Sequence, residues 1–218
     1  MDTKAALNIG EYSRNGCSRG LKPVEAWDHD MRPKKKLVPG GILESVTGKT
    51  FLFFTGSNKT SDFLVDGLLL WWDRRKEYLS GVRNLVINMD NGPECSGHRS
   101  QFLLRMAEFA DMTGLTVRII YYPPYHSKYN AVERCWGILE LHWNGALLDS
   151  LHAVEAYSAS MTWKGRHPAV DVVTTVYPTG VTLTKEAMAT VEAQIDRLPG
   201  LDKWFVDILY QPPAVRAA

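Results

Sequence analysis

Hydrophobic and polar positions alternate along this chain in two rhythms, one of period two and one of helical period. Near the N-terminus Ala5, Leu7 and Ile9 alternate with more polar neighbours, as in an extended segment over Met1 to Gly10. The runs KLVPGGILE, from Lys36, and TFLFFTG, from Thr50, flank a turn at Val46 to Lys49 that contains Gly48, and predict a hairpin. Ser61 then stands where it can cap a helix through about Tyr78, with Phe63, Leu64, Leu68 and Trp71 on one side. Arg74, Arg75 and Lys76 lie near its end, where cations complement the helix dipole. Asn84 to Met89 is apolar at nearly every position, the pattern of a strand buried on both faces. A helix over about Arg99 to Thr113, stopped by Gly114, leads to a strand TVRIIYY and a stiff aromatic loop PPYHSKY. A helix then runs from Asn130 to about Leu148. Beyond Leu148 the pattern is weaker: a turn at 163 to 167, a helix from about Lys185 to Leu198 capped by Thr184, and a strand within KWFVDIL. This order predicts an α/β protein with a mixed sheet covered by helices and right-handed crossovers between parallel strands.

Composition narrows the function classes. With 218 residues, 45% of them hydrophobic, the chain is long enough for one principal core. A net charge of +1 supplies no global field toward nucleic acid or membrane, so any DNA affinity has to come from local patches. One such patch is Glu11 to Lys36, where seven basic side chains (Arg14, Arg19, Lys22, Arg32, Lys34, Lys35, Lys36) face four acidic ones (Glu11, Glu25, Asp28, Asp30). A solvated insertion loop and a phosphate-contacting surface both fit that run. Three scattered cysteines, Cys17, Cys95 and Cys135, argue against a disulfide framework or a zinc ribbon and for free thiols in a reducing compartment. The start MDTKAALNIG lacks the apolar core of a signal peptide, and FLVDGLLLWW is broken by Asp66 and too short to span a bilayer. A cytoplasmic protein with no membrane partner is expected.

Two carboxylates stand where chemistry can use them. Asp90 closes the apolar run LVINM and precedes Asn91-Gly92, which places it at the C-terminal edge of a strand; a plain turn residue is the competing reading. Glu133 lies in the first turn of a helix, three residues after Asn130. That spacing fits a capping box as well as it fits a ligand. Glu133 falls just off the stripe of Val132, Trp136, Leu139, Trp143 and Leu147, so it borders the core. Two carboxylates ~4 Å apart repel by roughly 4 kcal/mol at an effective dielectric of 20, so converging acids point to cations. Hard oxygen donors suit Mg²⁺, and a pair of such ions suits phosphodiester chemistry. The tract Tyr121 to Tyr129, with His126 and Lys128, is suited to stacking bases and holding phosphates, or to stiffening a connector.

The segments DTKAALNIGEYSRNG, EAWDHDM, LVINMDNGPECS and YYPPYHSKYNAVERCWGILELHWNG resemble the catalytic domain of DDE insertion-sequence transposases of the ISAzo type, over nearly the whole chain. The resemblance implies a ribonuclease-H-like mixed five-stranded sheet flanked by helices. It also implies two Mg²⁺ ions, replaceable by Mn²⁺, and cleavage and strand transfer at transposon ends by a homo-oligomer on double-stranded DNA. By motif, its acids are Asp2, Asp90 and Glu133, acting as catalytic residues and metal ligands. DNA contacts are expected from Arg14, Arg19, Lys34, Lys35, Lys36, His126, Lys128 and Asn130. The expected organisation is a core over 1–150, with 11–36 as a basic insertion, and a helical extension of the same domain over 151–218. Two departures stand out. Ala131 replaces the family's usual proline. A DNA-binding region and the first half of the central strand, expected before the first acid, are absent, so the frame is expected to begin inside a domain. The alternative function is a non-catalytic remnant that keeps the fold and weak DNA binding; a nuclease acting on RNA or branched substrates is a third.

Overall fold

The computed structural model describes residues 1–18, 20–22, 24–28, 33–123 and 129–212. In chain order they form β1 (Asp2–Thr3), β2 (Leu7–Ile9), β3 (Lys35–Leu43), β4 (Thr50–Thr55), α1 (Ser61–Arg75), β5 (Asn84–Met89), α2 (Ser100–Thr113) and β6 (Thr116–Tyr121). There follow α3 (Ala131–Trp143), α4 (Leu151–Ser160), β7 (Ala169–Val173), α5 (Lys185–Glu192), β8 (Ile195–Arg197) and β9 (Phe205–Ile208). The protein is α/β, with mixed sheets flanked, among the described residues, by five helices, as the hydrophobic pattern predicts. The strands are divided between a five-stranded and a four-stranded sheet. The chain forms two compact units, Met1–Asn58 with Ala131–Val176, and Lys59–Asn130 with Tyr177–Ala218.

In the first unit the predicted hairpin forms: β3 and β4 pair antiparallel, and Gly48 takes φ +70° in the turn between them. β7 lies parallel to β4 on its far side. β1 and β2 share the other edge of β3, but their registers differ by one residue: Thr3 faces Gly40, while Leu7 faces Leu37. An extra residue therefore bulges out between them. Pro39 sits opposite this bulge. Its carbonyl accepts from Lys4 N at 3.0 Å, and the ladder loses little where a proline has no N–H to offer. Every residue of β4 is buried, so TFLFFT is the strand covered on both faces. Its Leu52 and Phe54 join Leu7, Leu37, Trp136, Leu139 and Trp143 in a core built on α3.

That helix is shorter than its periodicity suggests. It stops at Trp143 rather than near Leu148, because Gly145 turns to φ +75° and donates its N–H to Asn15 O at 2.7 Å. Beyond the turn Ala146 and Leu148 are buried, whereas Leu147 is only half-buried. The helix α4 has no counterpart in the sequence reading. Ser150 caps it by accepting from Ala153 N at 3.2 Å, and only Val154 and Ser158 are buried along its length.

In the second unit the order is β5-β6-β9-β8, with β5 parallel and β9 antiparallel to β6. Here β5 corrects the expectation of a doubly buried strand: it is an edge strand in which only Ile87 and Met89 are buried and Val86 is 53% exposed. Thr60, one residue before the expected Ser61, caps α1 by accepting from Phe63 N. The charge that breaks the apolar run of α1 is also accounted for. Asp66 accepts from Arg105 Nη2 at 2.6 Å and from the Tyr177 hydroxyl at 2.7 Å. Gly114 ends α2 in the left-handed region, Thr184 caps α5, and β9 falls within KWFVDIL as expected. No helix among the described residues is long and apolar enough to cross a membrane.

Candidate active site

Asp2 owes its position to three local choices of sequence. It pairs across the sheet with Gly41, so their side-chain directions share one face. Gly41 has no side chain, and a Cβ there would stand 2.6 Å from Trp136 Cη2; the indole of α3 fills that space. The indole Nε1 donates to Asp2 Oδ2 at 3.3 Å, and Thr3 N donates to Asp2 Oδ1 at 2.7 Å. Asp2 itself is half-buried. Trp136 lies one turn beyond Glu133 on α3, and Glu133, also half-buried, occupies the first turn of that helix. The first unit thus brings one acid on a sheet edge to the helix that bears the second.

Among the described residues, both polar atoms of the Asn130 side chain are buried without a hydrogen-bond partner. Asn130, one of the expected DNA contacts, is 1% exposed.

Asp90 belongs to the second unit, directly after β5, and is exposed. The loop that follows is fastened by side-chain hydrogen bonds from Cys95, Tyr121 and Ser61. The buried thiol of Cys95 donates to Asp90 O at 3.1 Å, and the Cys95 N–H donates to Gly92 O at 3.1 Å. Cys95 O in turn accepts from the Tyr121 hydroxyl at 2.6 Å, and Glu94 O accepts from Ser61 Oγ at 2.7 Å. Burial pushes the Tyr121 phenol well above its ordinary pKa, so it remains a donor at every physiological pH. Cys95 therefore has a structural use as a fastener of this loop. The signal was present as a small residue inside DNGPECS, but its hydrogen bonds depend on Tyr121, a distant strand residue.

Of the basic residues expected to meet DNA, Arg14 is otherwise engaged. Its Nη2 lies 2.8 Å from both carboxylate oxygens of Glu140, and its guanidinium lies 5.0 Å over the Trp143 ring. It fastens the basic segment to α3. Lys34, Lys35 and Lys36 are exposed and line a cavity of about 650 Å³ in the first unit, beside Ser57, Ser150 and Thr174. Arg19, His126 and Lys128 lie outside the described residues.

The thiols give a direct check on these placements. Cys17 is exposed, whereas Cys95 and Cys135 are buried, and desolvation raises the Cys135 pKa to about 11. A raised pKa keeps the thiol protonated and unreactive until the pH approaches that value. Titration of the native protein with a thiol reagent at pH 8 is expected to show one fast-reacting cysteine, with the other two appearing only on denaturation. A second fast thiol would contradict the packing of α3 or of the Asp90 loop.

Whether these donors suit a divalent cation is a question of chemistry and of gathering. Carboxylate oxygens from Asp2, Asp90 and Glu133 are the hard ligands that Mg²⁺ takes. Among the described residues, however, no three His, Cys, Asp or Glu side chains are gathered as a metal ion would need. Asp2 and Glu133 belong to one unit and Asp90 to the other.

The family model described as the Rhodopirellula transposase DDE domain matches residues 1–209. No curated protein and no solved structure matches the chain. The match spans the three acidic motifs and nearly every element of both units, and the chain belongs to this family of transposase DDE domains.

Proposed function

We propose that this chain is the catalytic domain of a DNA transposase that cleaves strands at the ends of an insertion sequence and joins them to target DNA. Asp2, Asp90 and Glu133 act as its metal ligands. The observation that carries this reading is the fixing of the Asp2 carboxylate by an indole on the helix that bears Glu133, in a chain of a transposase family. When bound, a pair of Mg²⁺ ions, or Mn²⁺ in their place, supplies Lewis-acid stabilisation of the phosphate and activation of the attacking oxygen. Asp2 and Glu133 offer that pair hard oxygens from a sheet edge and a helix start, and Asp90 offers a third from the end of β5.

In cleavage, a water oxygen bonds to phosphorus and the bond from phosphorus to the 3′ oxygen breaks, leaving a 3′-hydroxyl on the transposon strand. In transfer, that hydroxyl attacks a target phosphodiester and a target 3′ oxygen leaves with the proton. Lys34, Lys35 and Lys36 hold DNA phosphates as exposed point charges beside the hydroxyls of Ser57, Ser150 and Thr174. Arg14 acts indirectly, by holding the basic segment on α3.

Incubation of the protein with supercoiled plasmid carrying the insertion-sequence ends tests the reading. Nicked and joined products are expected with Mg²⁺ or Mn²⁺ and are expected to vanish with a chelator. Nicking that persists in the chelator would overturn the reading. Salt-sensitive DNA binding without any metal binding by calorimetry would select the non-catalytic alternative.

A further inference from the structure

The sequence reading assigned Trp136 to the core, and the structure gives it a second use. Its ring is 6% exposed and belongs to the apolar cluster of the first unit, yet its one polar atom points at Asp2 Oδ2. The seat for the ring is made by Gly41, the residue directly opposite Asp2 on β3. Any larger residue at 41 would take the volume of the indole and move the donor from the acid. Asp2 is also the residue that most needs such help. β1 is only two residues long and precedes a bulged edge, so its backbone pairing constrains the side chain weakly.

Thr3 N donates to Oδ1 and Trp136 Nε1 to Oδ2, so each oxygen receives a donor. Ligand carboxylates held in this way by outer hydrogen bonds bind metal better because their plane and rotamer are set beforehand. We propose that Trp136 is a positioning residue whose indole N–H, seated over Gly41, fixes the Asp2 carboxylate for a divalent cation. This rests on Asp2 being a metal ligand, and it adds a residue that acts through Asp2 and not on the DNA.

Replacing the Trp136 indole with benzothiophene, by incorporation of the benzothienylalanine isostere into the full chain, keeps the ring and removes only the donor. Mn²⁺ affinity measured by calorimetry is expected to fall by about tenfold or more, in the range found for outer-shell partners. The unfolding midpoint should match the wild type, and nicking should recover as the Mn²⁺ concentration is raised. An isostere that binds Mn²⁺ as tightly as the wild type would reduce Trp136 to packing and overturn the proposal. Asp2→Asn separates the two ideas. If it weakens Mn²⁺ binding and the isostere does not, positioning by Trp136 fails alone. If Asp2→Asn also leaves the affinity unchanged, Asp2 is not a ligand and the parent reading of Asp2 fails with it. Gly41→Ala, which drives a methyl toward the indole, gives a second measurement and should weaken Mn²⁺ binding in the same direction.

Discussion

Glu133→Ala is expected to slow metal-dependent nicking by about a thousandfold, and Glu140→Ala is expected to leave nicking in place while costing stability. A metal clamp supplies several kcal/mol to the transition state. Losing about 4 kcal/mol of it corresponds to about a thousandfold in rate. As an acid in the first turn of α3, Glu133 interacts with the helix dipole for about 0.5 kcal/mol. Glu140 lies two turns further along α3 and holds Arg14 at 2.8 Å and Lys4 at 3.6 Å. The Arg14 side chain is 15% exposed, and its Nε already lacks a partner, so removing Glu140 strands a largely buried cation. That cost is about 1 to 2 kcal/mol, below the value for a fully buried pair because Glu140 is 43% exposed and partly screened. Nicking rates and denaturant midpoints of both variants decide the matter. If Glu140→Ala lost the chemistry and Glu133→Ala kept it, the wrong acid of α3 has been assigned.

Legibility in the sequence followed how local each signal was. The hairpin, the caps at Thr184 and Gly114 and the positions of the two motif acids rest on neighbours within a few residues, and each was readable. Burial was less readable. LVINM and TFLFFT look alike as apolar runs, yet β4 is buried throughout while β5, at a sheet edge, alternates. Position in the sheet, which neither run encodes, makes the difference. The helix α4 was missed because its composition, LHAVEAYSAS, offers one small buried strip to the core and no apolar stripe. β7 was missed because Asp171 interrupts AVDVV. Arg14 looked like a phosphate contact because the sequence cannot announce an acid 126 residues away. The role of Trp136 was hidden for the same reason: it exists only because Gly41 pairs with Asp2.

The glycine beside Gly41 sets the largest expected change in stability. Gly40→Ala should destabilise the protein by about 3 kcal/mol, near the upper end of what overpacking a core costs. Gly40 pairs directly with Phe53, whose ring covers it and is fully buried. A Cβ at Gly40 would fall well under 3.0 Å from that ring, closer than real Cβ contacts come. Relief is poor in either direction. Phe53 stacks on Phe51 with centroids 5.8 Å apart, and β3 is held by partners on both edges. The opposing term, lower entropy of the unfolded chain when glycine becomes alanine, contributes only about 0.4 to 1 kcal/mol, so the clash wins. Gly137 supplies the control, because it lies inside α3 with nothing within 4 Å of an added Cβ. There only the entropy and helix-propensity terms remain, and Gly137→Ala is expected to stabilise by about 0.5 to 1 kcal/mol. Denaturant unfolding of the two variants should therefore move the midpoint in opposite directions. A neutral Gly40→Ala would mean that β3 and β4 do not meet in the register that places the Phe53 ring over Gly40.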